Sequence, residues 1–277
     1  MNKLLVRFMT GVPLGLLALW AMIYSHISFA VMFAIITMLT VNELCNLVHE
    51  YKKTNFSTLL AVLGGGYLFF ALYATSHLGV KSSITLYAPY ILLIVYTFIR
   101  QLYKTEGSSL DNYAYFILTQ VYAALPFALL NILSTVGAAD GTYNYVMVLS
   151  IFIFIWSNDT GAFFVGCSIG RHKMWERVSP KKTWEGTIGG ITIAMLAGYI
   201  ISLYSPQLNM WQWMGMAAVV AATGTYGDLI ESCMKREMGI KDSGTIIPGH
   251  GGLLDRFDST IVAVPSALIY LSIVGAL

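Results

Sequence analysis

Charge is what this sequence has least of. Only 11% of its 277 residues are Asp, Glu, Lys or Arg, against about a quarter in a typical soluble domain, while 57% are hydrophobic. That balance excludes a soluble globular chain and points to an integral membrane protein. The net charge is +2 and no long basic tract occurs, so nucleic acid is excluded as a partner. Cysteine is scarce as well. Cys45, Cys167 and Cys233 are odd in number and far apart in apolar surroundings, which excludes a disulfide framework and a cysteine metal cluster and leaves small packing residues. The five histidines, His26, His49, His77, His172 and His250, lack ligand spacing, which removes support for a zinc site. Neither G-x-x-x-x-G-K-[ST] nor a strand-linked G-x-G-x-x-G occurs, so P-loop and Rossmann nucleotide sites find none either.

What the chain does have is a series of apolar runs. A hydrocarbon core of about 30 Å needs roughly 20 apolar residues as a helix. Nine segments qualify: 8–25, 28–48, 57–78, 84–101, 113–135, 144–169, 187–205, 211–233 and 258–277. The first has the basic-then-apolar shape of a signal peptide but no convincing cleavage site, and reads as an uncleaved span. Lipid cannot satisfy open backbone groups, so each span is expected to be helical. The expected fold class is all-α: a polytopic membrane protein of about nine transmembrane helices, forming one enzyme domain over 1–277. With nine crossings, 15 of the 16 Lys and Arg residues fall on the face of the N-terminus, and only Lys81 falls on the other. Cytoplasmic loops retain Lys and Arg, so the N-terminus is expected inside, the C-terminus outside, and the chemistry on the cytoplasmic face of a plasma (inner) membrane. Two large inner loops, 170–186 and 234–259, hold most of the charge.

Ionisable groups within spans are costly and default to a functional reading. Glu43, Asp159, Asp228 and Glu231 are such groups, all toward the inner face. Pairing with loop lysines that merely hold the bundle together is the competing reading, strongest for Glu43, which has no motif around it. Asp228 and Glu231 in "GTYGDLIES" are three apart on one helix face, and Asp255 and Asp258 in "DRFD" repeat that spacing. Two helices that each offer paired oxygen ligands suit a hard divalent cation such as Mg²⁺, which keeps waters and substrate phosphates in its shell. Basic partners are near. "SPKKTWEG" offers Lys181, Lys182 and Thr183, and "SCMKREMGIKDSG" offers Lys235, Arg236 and Lys241. Arg171, Lys173 and Arg177 read instead as topology-setting charges. In "PGHGG" (248–252) glycine permits crowded backbone, so amides can converge on a phosphate. His250 is open to phosphate binding, proton transfer or simple loop fixing. Residues alone thus point to a membrane enzyme handling polyphosphate and Mg²⁺ at the inner leaflet.

The stretch "SCMKREMGIKDSGTIIPGHGGLLDRFD" (232–258) resembles the signature of the phosphatidate cytidylyltransferases, or CDP-diacylglycerol synthases: S-x-apolar-K-R, four residues, K-D, then P-x-H-G-G-apolar-x-D-R-apolar-D. "SNDTGAFFVG" (157–166), "SPKKTWEG" and "GDLIES" (227–232) are similar to further motifs of that family, which places the catalytic motifs in 157–259. The resemblance implies transfer of a cytidylyl group from CTP to phosphatidic acid, releasing pyrophosphate, in phospholipid biosynthesis. It implies Mg²⁺ dependence with Asp228 and Asp255 as metal ligands and K⁺ as a candidate second ion; Asp159, Glu231 and Asp258 are further candidate ligands by their own position and chemistry. Asp228, Asp255, Lys241, Asp242 and Asp258 are the expected catalytic group. Lys181, Lys182, Thr183, Ser232, Lys235, Arg236, His250, Gly251, Gly252 and Arg256 are the expected substrate-binding group. Membrane lipids are partners, and a homodimer is one arrangement that the sequence admits. Two alternatives compete: a related membrane lipid kinase or transferase, and, from a different class, an ion-coupled transporter. A transporter would distribute its broken spans over symmetrical halves, whereas here the charge is concentrated in the second half.

Overall fold

The computed structural model describes residues 3–104, 109–138, 142–244, 246 and 251–277, with side chains from Gly11 onward. Helices dominate: α1 (Lys3–Tyr24), α2 (His26–Lys52), α3 (Thr58–His77), α4 (Ile84–Leu102), a rod made of α5 (Ser109–Leu118), a π-helical turn (Thr119–Ala124) and α6 (Leu125–Leu133), then α7 (Tyr145–Ile169), α8 (Trp184–Ser202), α9 (Met210–Glu237) and α10 (Leu254–Ile273). Every one of the nine expected segments lies on one of these rods. Among the described residues, seven rods are long and apolar enough to cross a membrane: α2, α3, α4, the α5–α6 rod, α7, α8 and α10. The remaining two differ for physical reasons. The apolar part of α1 with described side chains is only Gly11–Tyr24, and α9 dilutes its apolar residues with Asp228, Glu231, Lys235, Arg236 and Glu237 toward its end.

Helix starts are set by short polar side chains that take up otherwise unpaired amides. Ser25 and Asn209 form capping boxes for α2 and α9, and Asn144 and Thr183 accept from Val146 and Gly186 at the starts of α7 and α8. The chain divides into two compact units, 1–132 with 242–256, and 133–241 with 257–277. In the first, α2 packs against α1, α3, α5 and the π turn, burying Phe29, Phe33, Val41 and Leu44. Gln120 in the π turn donates to the Ala61 carbonyl at 3.0 Å. Asn55, just past α2, receives the Asn112 amide on its side-chain oxygen at 2.9 Å and that of Gln101 at 3.1 Å.

The second unit is built on α7, α8 and α9. A stripe of small residues on α8, Gly186, Gly190, Ala194 and Gly198, recurs every fourth position. A Cβ at Gly186 would lie 2.8 Å from the Ala162 carbonyl of α7, one at Gly190 2.6 Å from the Asn158 carbonyl, and one at Gly198 2.8 Å from the Trp213 carbonyl of α9. Small residues let membrane helices approach backbone to backbone. One element departs from the all-α expectation. β1 (Lys173–Trp175) and β2 (Ser179–Thr183) pair antiparallel, Lys173 opposite Thr183 and Trp175 opposite Ser179. Glu185, in the first turn of α8, accepts the amides of Arg171 at 3.1 Å and His172 at 3.2 Å, so the hairpin is tied to the helix it feeds.

Gly190→Ala is therefore expected to cost about 1–3 kcal/mol through overpacking, read as a lower thermal midpoint of the detergent-purified protein. Gly15→Ala, where no atom lies within 4 Å of the added carbon, is expected to leave that midpoint unchanged or raise it slightly. Equal behaviour of the two variants would contradict the close-approach account of α8.

Candidate active site

In the second unit, α9 and α10 come together at a glycine. A Cβ on Gly227 would lie 2.6 Å from the carbonyl oxygen of Asp258, so only glycine lets the helices meet at this level. The next residue, Asp228, is thereby brought to Asp258, and their carboxyl groups lie within hydrogen-bonding distance. The Ser232 hydroxyl, one turn on, donates to Asp228 Oδ1 at 3.2 Å. Lys182, delivered by β2, places Nζ 2.5 Å from Asp228 Oδ2 and donates to the Thr225 carbonyl at 3.1 Å. The hairpin that sequence patterning missed is thus what carries the lysine to the acid pair.

A cleft of about 190 Å³ opens beside this group, lined among others by Asp159, Lys181, Lys182, Thr183 and Thr225. Asp159 is close enough to Lys182 and Asp228 to interact electrostatically with both. Glu231 is fully buried, 0% exposed, and pairs with Lys235 at 3.0 Å. Four carboxylates, Asp159, Asp228, Glu231 and Asp258, therefore share two ammonium groups, Lys182 and Lys235. Among the described residues no three His, Cys, Asp or Glu side chains form a group placed to hold a metal ion. The Asp228–Asp258 pair is an open, oxygen-only donor set, the kind that suits a hard cation whose other positions are filled by water or phosphate.

The other expected residues have different surroundings. Arg236 and Lys241 are exposed, and Arg236 donates to the Ile240 carbonyl at 3.0 Å, closing the end of α9. In the first unit, Asp255 Oδ2 accepts the amides of Ser243 at 2.8 Å and Gly252 at 2.9 Å. Gly251 has φ +86°, a conformation that glycine adopts without steric cost. Asp242 and Arg256 are exposed, and His250 lies outside the described residues. Sequence reading gave no role to Asn158 and Thr225, although both line the cleft and the Asn158 amide donates to Thr225 Oγ1 at 3.1 Å. The spacing of Thr225 three residues before Asp228 on one helix was the available signal.

A phosphatidate cytidylyltransferase of Staphylococcus aureus (strain COL) is 44% identical over 120 residues, 43% of this chain and 46% of the relative. Those of Staphylococcus epidermidis (strain RP62A) and Staphylococcus haemolyticus (strain JCSC1435) are 43% and 42% identical over 119 residues, again 43% of this chain and 46% of each relative. The alignments thus span about half the length of these relatives. The model of the Cytidylyltransferase family matches residues 5–274. A match over nearly the whole chain settles its membership: this protein belongs to the cytidylyltransferase family.

Proposed function

We propose that this membrane protein transfers the cytidylyl group of CTP to phosphatidic acid, giving CDP-diacylglycerol and pyrophosphate. The observation that carries the reading is the contact of Asp228 with both Asp258 and Lys182 beside a cleft with Lys181 and Thr183 in its wall, in a chain matched end to end by a cytidylyltransferase model. An oxygen of the lipid phosphate attacks the α-phosphorus of CTP. A new P–O bond forms, the bond from α-phosphorus to its bridging oxygen breaks, and pyrophosphate departs with the electron pair. Nucleophile and leaving group are both phosphates, so no strong base is required at neutral pH. The task of the protein is alignment and neutralisation of growing negative charge.

Within that reading Lys181 and Lys182 bind phosphate oxygens from the cleft wall, and Thr183 adds a hydroxyl beside them. Ser232 orients Asp228, and Asp255 holds the amides of Ser243 and Gly252. Lys241 and Arg256, both exposed, are further candidates for the triphosphate, with Asp242 beside Lys241; Arg256 has the fork that fits phosphate bidentately. The resident ion is proposed to be Mg²⁺, held by Asp228 and Asp258, with Asp159 as a further donor and K⁺ as a second ion. When bound, Mg²⁺ supplies charge neutralisation at the reacting oxygens. Nine membrane crossings with the N-terminus in the cytoplasm of a bacterial plasma membrane complete the proposal; the one-sided distribution of Lys and Arg supports it.

Incubating the purified protein with labelled CTP, phosphatidic acid and Mg²⁺ is expected to release pyrophosphate only when the lipid is present. Transfer of the γ-phosphate to lipid would indicate a kinase instead, and no turnover at all would refute the transferase reading. In the same assay Lys182→Met is expected to lower kcat/KM about a hundredfold. Lys173→Ala, on the exposed strand β1, is expected to stay within about twofold. A large loss in Lys173→Ala would show that the site extends along the hairpin.

A further inference from the structure

The β-hairpin has a second face that the cleft does not use. Its inner side is seated: Val178 and Thr183 are buried, and the Thr187 hydroxyl of α8 reaches the Met174 sulfur at 3.6 Å. The Val178 amide closes the turn by donating to the Trp175 carbonyl at 3.3 Å. Burial alternates along β1, with Met174 half-buried and Lys173 and Trp175 exposed. Trp175 is 51% exposed, and Arg171, Lys173, Arg177 and Lys181 are exposed on the same hairpin and its base. Among the described residues none of these four cations forms an ion pair. Nearby acids do little to offset them. Glu185 is occupied by the amides of Arg171 and His172 and by the His172 ring, which leaves Glu176 against four positive charges.

Position decides what such a face can meet. The hairpin joins the end of α7 to the start of α8, two rods long and apolar enough to cross a membrane, so it lies where both leave the hydrocarbon. Phospholipid phosphates lie at the same level. Tryptophan is favoured there, because its ring tolerates the acyl edge while its N–H stays wet; Trp184, 46% exposed at the start of α8, marks that level a second time. Unpaired cations are attracted to a negatively charged headgroup layer and not to a zwitterionic one. A soluble acidic partner would match the cations but gives no reason for the bare indole among them. We propose that the outer face of the hairpin, formed by Arg171, Lys173, Trp175 and Arg177, docks on anionic phospholipid headgroups of the bilayer that holds the chain. β2 carries Lys181 from this hairpin to the cleft wall, so docked headgroups stand beside the cleft. Supply of a lipid phosphate to the reaction rests on the cytidylyltransferase reading given above; the docking itself does not.

Acrylamide quenching of Trp175 reads the docking, taken as the fluorescence lost on Trp175→Phe in the same background. Full-length protein is reconstituted into nanodiscs of phosphatidylcholine alone, or with phosphatidylglycerol or phosphatidic acid added. Either anionic lipid is expected to lower the quenching of Trp175 about threefold relative to phosphatidylcholine alone. Combining Arg171→Gln, Lys173→Gln and Arg177→Gln is expected to abolish that difference. Should the combined variant fail to fold, salt carries the same test on the unaltered hairpin: at about 1 M the Debye length is only about 3 Å, and the protection is expected to fade. Equal quenching in all three discs would overturn the proposal and leave the face to a soluble partner. A difference that survives in the combined variant would overturn it too. Protection by phosphatidic acid alone would make the face a substrate subsite rather than a headgroup dock, and would overturn it as stated. None of these readings needs turnover, so a chain without lipid-dependent pyrophosphate release fails the transferase reading and still reports on the hairpin.

Discussion

Two carboxyl groups held in contact repel one another unless positive charge lies with them. Around that constraint the second unit is arranged. Gly227 removes the side chain that would keep α9 from α10, which leaves Asp228 and Asp258 facing each other. Lys182 answers part of the charge, and Lys235 is engaged by Glu231. Under the proposed function the paired acids receive a cation and the neighbouring lysines receive phosphate. A lipid phosphate and a nucleotide triphosphate both need that combination.

Placement in a membrane imposes the means by which such a cluster is assembled. Helices in lipid gain little from burying apolar surface against one another, and close backbone approach takes over. The stripe of small residues on α8 brings it against α7 near its start and against α9 near its end, which fixes α7, α8 and α9 around the cleft. The β-hairpin feeding α8 is locked by Glu185, so Lys182 arrives from a short, braced strand. The precision of the lysine–aspartate contact is thus inherited from glycine packing and one capping carboxylate.

Much of this was legible in the residues. Long apolar runs revealed the helical rods, because the need to satisfy backbone groups in lipid leaves helix as the only local outcome. The motif around Asp228 and the "DRFD" spacing revealed the acids. Other features were hidden for identifiable reasons. The hairpin strands are short, largely exposed and contain Pro180, so they lack the alternation that marks a half-buried strand. Asp255 and Asp258 look equivalent in spacing, yet the first is turned toward loop amides and the second toward Asp228. Glu43 was visible as a costly charge but its partners were not, since Ser243 and Leu253 lie 200 and 210 positions away. Such separations leave no local trace.

Divalent-cation binding at the α9–α10 contact is the claim on which the rest turns. Titrating the purified protein with Mn²⁺ as a paramagnetic substitute for Mg²⁺, and reading free ion by electron paramagnetic resonance, addresses it without any substrate. Wild type is expected to bind the ion, and Asp258→Asn to weaken binding by about tenfold or more. Equal affinity in wild type and Asp258→Asn would contradict the account and leave the paired acids as a purely structural feature.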